Sequence, residues 1–241
     1  MDASKRRRRV AREWLQVVFG LFVFAFGVHL TIFANIGLSP WDCFGMGVSY
    51  HTPLNYGLSM TVTAVAILLI DIAMGERIGF GTFLDAFLTG NYVQLFNDLN
   101  PLPLNENVGV GVALMLVGLV VMALGMWVYM AAGQCCGPRD SLFVGIGRRF
   151  PSVPIGVFQI ATLAVALLMG WLLGGKVGIG TIVSTFGTGL VTQLVYNAIR
   201  FEPRDVVHRD VLEVIRELSG DDAPVLGGDE SAKTYHGRRQ H

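Results

Sequence analysis

A polar, helix-breaking motif occurs twice in a chain that is apolar over long stretches, and it limits the fold more than any other feature. Gly37-Leu38-Ser39-Pro40-Trp41-Asp42 is answered by Cys136-Gly137-Pro138-Arg139-Asp140, which sets Pro40 against Pro138 and Asp42 against Asp140 at an offset of 98. Ile78-Gly79-Phe80-Gly81-Thr82 returns as Val177-Gly178-Ile179-Gly180-Thr181 at an offset of 99, and Gly20 and Gly27 return as Gly118 and Gly125. Paired interruptions inside apolar sequence mark an internally duplicated membrane protein. In transporters built from repeats they point to the binding site.

The apolar stretches have the length a bilayer demands. Only 15% of the residues are charged, against about 25% in soluble domains. A spanning helix needs roughly 20 apolar residues. Residues 14–36, 108–132, 153–175 and 177–199 meet this without one Asp, Glu, Lys or Arg, while 57–75 and 78–96 each carry a single aspartate, Asp71 and Asp85. Six spans are expected. The chain should be an all-α polytopic membrane protein, with short Pro-initiated helices after the first span of each repeat.

The net charge of zero hides an asymmetry. With six spans and both termini cytoplasmic, 17 of the 18 Lys and Arg fall inside and Lys176 alone falls outside. The positive-inside rule weights basic residues near span ends, and the run Lys5-Arg6-Arg7-Arg8-Arg9 beside the first span reads as a topology anchor rather than a nucleic-acid patch. The stretch after Trp14 is longer than a signal-peptide core and lacks a small-residue cleavage site. Cys43, Cys135 and Cys136 form neither a disulfide framework nor a metal-ligand spacing.

The chain divides into a basic N-terminus (1–13), a first membrane repeat (14–100), an external linker (101–107), a second repeat (108–200) and a cytoplasmic tail (201–241). Each repeat holds three spans. An odd number forces the second repeat to enter the membrane from the opposite side, so two inverted three-helix repeats are expected, as in many secondary transporters. Gly20/Gly27 and Gly118/Gly125 each lie on one helix face, where small residues let backbones approach closely, so the first spans of the two halves should cross. In the tail, residues 203–218 read as an amphipathic helix and the remainder as a disordered end.

The polar residues have a structural and a functional reading. Ser39 can cap a helix with Pro40 at its first position and Asp42 closing a capping box; Gly137 fits the same frame, and Thr82 and Asp85 have capping-box spacing. Yet helix N-termini inside a membrane also attract anionic groups, and a buried carboxylate there is a functional hypothesis by default. Asp85 faces Ser184 in the other repeat, so the halves are chemically unequal at that point. Asp71 is expected to reach the cytoplasmic interface, and His29 reads more readily as a packing residue. The expected substrate-binding residues are Trp41, Asp42, Thr82, Asp85, Arg139, Asp140 and Thr181. Neither a metal site nor a cofactor is expected.

These motifs resemble the YczE/YyaS/YitT family of bacterial inner-membrane proteins, most closely its YczE-like branch. The resemblance rests on Gly-Leu-Ser-Pro-Trp-Asp after the first span, Gly-Pro-Arg-Asp in the second half, and Gly-x-Gly-Thr following spans two and five. It covers residues 14–200 and implies a multi-pass protein of the bacterial cytoplasmic membrane, from a family described either as transporters or simply as integral membrane proteins, with no settled substrate and no roles for individual residues. The basic run, the long tail and Cys135-Cys136 depart from the pattern.

The expected function is a secondary transporter or exporter of a small polar or zwitterionic metabolite. The alternative is a non-catalytic membrane subunit, such as a substrate-capture component of a separate complex. An enzyme is not expected: the sequence lacks a paired His-Glu metal motif, a Gly-x-Ser-x-Gly elbow and a P-loop. The expected partners are the lipid bilayer and a small molecule, with no nucleic acid. Association with further copies of the chain stays open.

Overall fold

The structure, a computed structural model, describes residues 3–76, 79–100, 104–133, 137–150, 152–153 and 155–201, with backbone alone for 3–7, 140, 141, 143, 144, 148 and 155. Cys135, Cys136, the Asp140 side chain and the tail beyond Phe201, with its expected helix at 203–218, lie outside the described residues.

Every regular element among the described residues is a helix. The order is α1 (Ala3–Phe33), α2 (Pro40–His51), α3 (Tyr56–Ala73), α4 (Phe80–Leu99), α5 (Val108–Met130), α6 (Pro138–Arg149), α7 (Ile155–Leu172) and α8 (Ile179–Ile199). One long helix, one short Pro-initiated helix and two further helices thus occur twice. Both short helices start where their prolines dictate: the ring has no N–H to lose at the first helical position, with Ser39 capping α2 and Gly137 capping α6. Asn55 and Asn107 cap α3 and α5 by accepting backbone N–H groups of the first turn.

Among the described residues, four helices are long and apolar enough to cross a membrane: Arg8–Phe33, Tyr56–Ala73, Val108–Met130 and Ile179–Ile199. Two of the six expected spans fall short by that measure. The apolar stretch Gly156–Leu172 of α7 is shorter, and α4 carries Asp85, Asp98 and three amide residues in its 20 residues. Large apolar side chains nonetheless point outward on both, among them Phe87 and Leu99 on α4 and Ile160 and Leu172 on α7. A soluble domain rarely exposes apolar area this extensive and contiguous; a lipid bilayer accounts for it. The chain is an all-helical membrane protein.

The two long helices α1 and α5 form its centre. A Cβ placed on Gly20 would lie 3.0 Å from the carbonyl oxygen of Gly125, and one placed on Gly125 would lie 2.8 Å from that of Gly20. Gly27 and Gly118 repeat this reciprocity further along, so the helices run antiparallel and cross on their glycine faces, as the spacing of seven implied. α4 packs on α1, and α8 packs on α5.

Contacts at the chain reversals define the two ends of the bundle. At one end Asn35 donates to the Asn105 carbonyl at 2.9 Å, and Lys176 Nζ donates to Asn35 Oδ1 at 2.6 Å. His29 belongs to this end: its ring contacts Asn97 Oδ1 at 2.7 Å and lies among Phe26, Phe33 and Phe96, a packing residue with its polar edge satisfied. At the other end Trp14 stacks on Phe80, and Tyr196 packs against Phe201.

Candidate functional site

The loops that the repeated motifs predict meet each other. The Gly37 loop lies against the Gly178 loop: Leu38 N–H donates to the Lys176 carbonyl at 3.0 Å and Gly180 N–H to the Ile36 carbonyl at 2.8 Å. Gly37 has φ +126°, and a Cβ there would come within 2.7 Å of the Gly178 nitrogen. Only glycine satisfies both the left-handed backbone and the close approach. Thr181, buried, turns back from the first turn of α8 to accept the Gly178 N–H at 3.2 Å. Thr82, also buried, occupies the same position in α4 behind its cap Gly79. Both threonines therefore build helix starts.

From this scaffold α2 presents Trp41 and Asp42. Asp42 is buried at 4% exposure and accepts two hydroxyls, Ser39 at 2.6 Å and Tyr56 at 3.0 Å. The expected capping box is thus half formed. Ser39 Oγ accepts the Asp42 N–H at 3.4 Å, but the carboxylate turns to the Ser39 hydroxyl and to α3 rather than to the Ser39 backbone. Tyr56 had no signal in the sequence, because it lies on another helix and its partner is 14 residues away.

Arg139, from the second motif, reaches across to the first. Its guanidinium carbon lies 5.2 Å from the centre of the Trp41 ring, and Nη2 is 3.6 Å from Met60 Sδ. That is a cation–π contact. Among the described residues no carboxylate is within ion-pair distance of Arg139, although it is near enough to interact electrostatically with Asp85 and Tyr56. Trp41, half-buried, thus joins the first motif to the second.

Asp85 does not cap a helix. α4 begins at Phe80, so Asp85 sits in its second turn, where Thr89 donates to its Oδ1. The Gly79 cap pre-empts Thr82, and the Thr82–Asp85 spacing is a coincidence of helical period. Asp71, in the last turn of α3, is fully buried, and neither carboxylate oxygen has a hydrogen-bond partner among the described residues.

Trp41 and Arg139 stand at the head of a cavity of about 720 Å³, within the range of small-molecule sites. It runs between α7 and α8 toward Asn197 and Phe201 at the C-terminal end of α8. One wall is apolar, with Phe24, Met122 and Met126 from α1 and α5. The other is a polar stripe of α8: Ser184, Thr185, Thr188, Thr192 and Gln193. At 3.6 residues per turn Ser184, Thr185, Thr188 and Thr192 share one helical face about 100° wide, with Gln193 flanking it, a signal that the sequence does contain. The cavity joins Trp41 and Arg139 of the expected site; Asp42 lies just behind its head, and Thr82, Asp85 and Thr181 do not line it.

Fold and site thus define a helical membrane protein with a half-open cavity that has one apolar and one polar wall. Residues 11–197 match the model of a family of unknown function, DUF6198, and the chain belongs to it. An uncharacterized membrane protein, YczE, of Bacillus subtilis is 30% identical over 187 residues, covering 77% of this chain and 86% of its own. The B. subtilis protein YyaS is 26% identical, covering 74% and 90%, and an uncharacterized Haemophilus influenzae protein is 27% identical, covering 76% and 83%. These relatives bear out the resemblance to the YczE/YyaS family. No solved structure matches the chain significantly.

Proposed function

We propose that the chain is a non-enzymatic secondary transporter or exporter of a small polar or zwitterionic metabolite. It sits in the bacterial cytoplasmic membrane as two inverted three-span repeats with both termini cytoplasmic. The antiparallel crossing of α1 and α5 supports the inverted arrangement, because Gly20 faces Gly125 and Gly27 faces Gly118, each glycine opposite its counterpart's partner. α4 and α7 then count as spans because their outer faces are apolar.

One observation carries the transport reading over that of a static subunit. Gly57 and Gly90 press together: a Cβ on Gly57 would be 2.5 Å from the Gly90 carbonyl oxygen, and one on Gly90 would be 2.4 Å from that of Gly57. Gln94 Oε1 seals the contact by accepting the Gly57 N–H at 3.1 Å. At the offset of 99 the same three residues recur as Gly156, Gly189 and Gln193. There, among the described residues, nothing lies within 4 Å of a Cβ on either glycine, and Gln193 faces the cavity. The same closing device is shut between α3 and α4 and open between α7 and α8. Inverted repeats that exchange these two states open a central site to one side at a time, and the present state opens toward the side of Phe201, the cytoplasm by the charge rule.

The test is uptake and counterflow of a small-molecule library in proteoliposomes of the purified full-length chain, with copurification screened for further subunits. Saturable exchange by the chain alone is expected. Binding without exchange, together with copurifying ATPase subunits, would replace this reading with that of a capture component.

A further inference from the structure

Arg139 is a cation without a carboxylate partner at the head of the cavity, and it supplies the only charged side chain lining it among the described residues. Arg139 is half-buried at the head of the cavity, and a charge drawn partly out of water is stabilised by a partner of opposite sign, which a ligand in the cavity can supply. The nearby carboxylates do not compete for the cavity. Asp42 is held by Ser39 and Tyr56, and Asp85 by Thr89. Neither faces the space between α7 and α8. Trp41 covers one face of the guanidinium and fixes its direction. Further down, Ser184, Thr188 and Gln193 offer hydroxyl and amide groups but no charge, opposite Met122.

Resting on the transport reading, we infer that the cavity takes a small organic anion. Its anionic end pairs with Arg139 beside Trp41, and its uncharged, hydrogen-bonding body lies along the polar stripe of α8. A guanidinium fork matches a carboxylate in two parallel hydrogen bonds, and α8 then selects among anions by the hydrogen bonds it can satisfy. A ligand with a cationic end and no anionic one is rejected, because it would place like charge against Arg139 with no carboxylate among the described lining residues to offset it.

The test is thermal unfolding of the full-length chain in lipid nanodiscs against two matched probe series at equal ionic strength. N-acetyl-L-amino acids carry one carboxylate and no amine; L-amino acid amides carry one amine and no carboxylate. The acids should raise the unfolding temperature saturably and the amides should not. Arg139→Gln should abolish the response, and Arg139→Lys, which keeps the charge, should retain part of it with weaker apparent affinity. Should Arg139→Gln not fold, the wild-type contrast and Arg139→Lys decide alone. Stabilisation by the amides, an acid response that survives Arg139→Gln, or no response to either series overturns the anion site. Counterflow with the same probes separates this inference from the reading beneath it: acids bound through Arg139 but never exchanged leave the site standing and sink transport, whereas exchanged amides leave transport standing and sink the site.

Discussion

Gly27 and Gly118 meet backbone to backbone: a Cβ on Gly27 would lie 2.8 Å from the Gly118 carbonyl oxygen and one on Gly118 would lie 2.9 Å from that of Gly27. Neither position has room for a side chain: Met122 and Thr31 side chains also press in, and at both positions a main-chain atom that cannot swing away stands within 2.9 Å. Gly27→Val should therefore destabilise the bundle by about 1–3 kcal/mol, the usual cost of overpacking, and Gly118→Val should do the same. Thermal unfolding in detergent checks this, and an unchanged midpoint for both variants would refute the close crossing.

A second glycine prediction separates packing from motion. Gly57→Leu must displace the Gly90 carbonyl and should lower stability. Gly156→Leu meets nothing within 4 Å of its Cβ among the described residues and replaces a poor helix former with a good one, a change of up to about 1 kcal/mol in favour of the helix. It should fold at least as well as the wild type. It should nonetheless lose most uptake, since the side chain would wedge α7 from α8 when they have to close. Normal uptake by well-folded Gly156→Leu would rule out closure at this pair.

Much of this arrangement is visible in the sequence and some of it is not. The long helices, the two Pro-initiated short ones and the glycine crossing follow from local rules: the length of apolar runs, the missing proline N–H, the spacing of seven. Trp41 and Arg139 each stand out as polar residues in apolar surroundings, but 98 residues separate them and no local pattern says that they touch. The α8 stripe was readable as a helical period of hydroxyls and amides. It is easily missed because each threonine alone is an ordinary membrane residue. Gly57 and Gly156 look the same in sequence, so the difference between a shut and an open pair exists only in the tertiary structure.

Tyr56 and Asp42 allow a test of the buried polar contact. Tyr56→Phe removes the hydroxyl that donates to Asp42 Oδ1 at 3.0 Å and leaves that oxygen buried without a donor. Such an orphan acceptor costs about 1–3 kcal/mol, the lower end being expected because Ser39 still donates to Oδ2. Asp42 would also be freed to turn toward Arg139, so binding at the cavity should weaken along with stability. Unfolding temperature and probe binding, measured on the same preparation, give both numbers.

The orientation follows from charge and can be read with single cysteines in a background lacking Cys43, Cys135 and Cys136. Cysteines at Asn105 and Lys176, at the end marked by the Asn35 contacts, should react with a membrane-impermeant maleimide in intact cells. One at Phe150 should react only after permeabilisation. Within the membrane, Thr185→Cys lines the cavity and should be modified from the cytoplasmic side, whereas its counterpart Ala86→Cys, buried at 2% exposure, should be inert. Cytoplasmic labelling at Asn105 would refute the inverted repeat.

Asp85 separates an ionic role from a structural one. Its carboxylate accepts from Thr89 within one helix, a bond that asparagine can also accept. Asp85→Asn therefore keeps the local geometry and removes the charge, and Asp85→Ser copies Ser184 of the other repeat. Both variants should fold with unfolding temperatures near that of the wild type. If the carboxylate carries a coupling ion across the membrane, both should lose uptake by at least about tenfold, the equivalent of 1.4 kcal/mol. Binding of the anionic probes should survive, because Asp85 does not line the cavity. Uptake, probe binding and unfolding measured in parallel distinguish the cases. Full uptake by folded Asp85→Asn would exclude an ionic role and leave Arg139 as the charge on which transport turns.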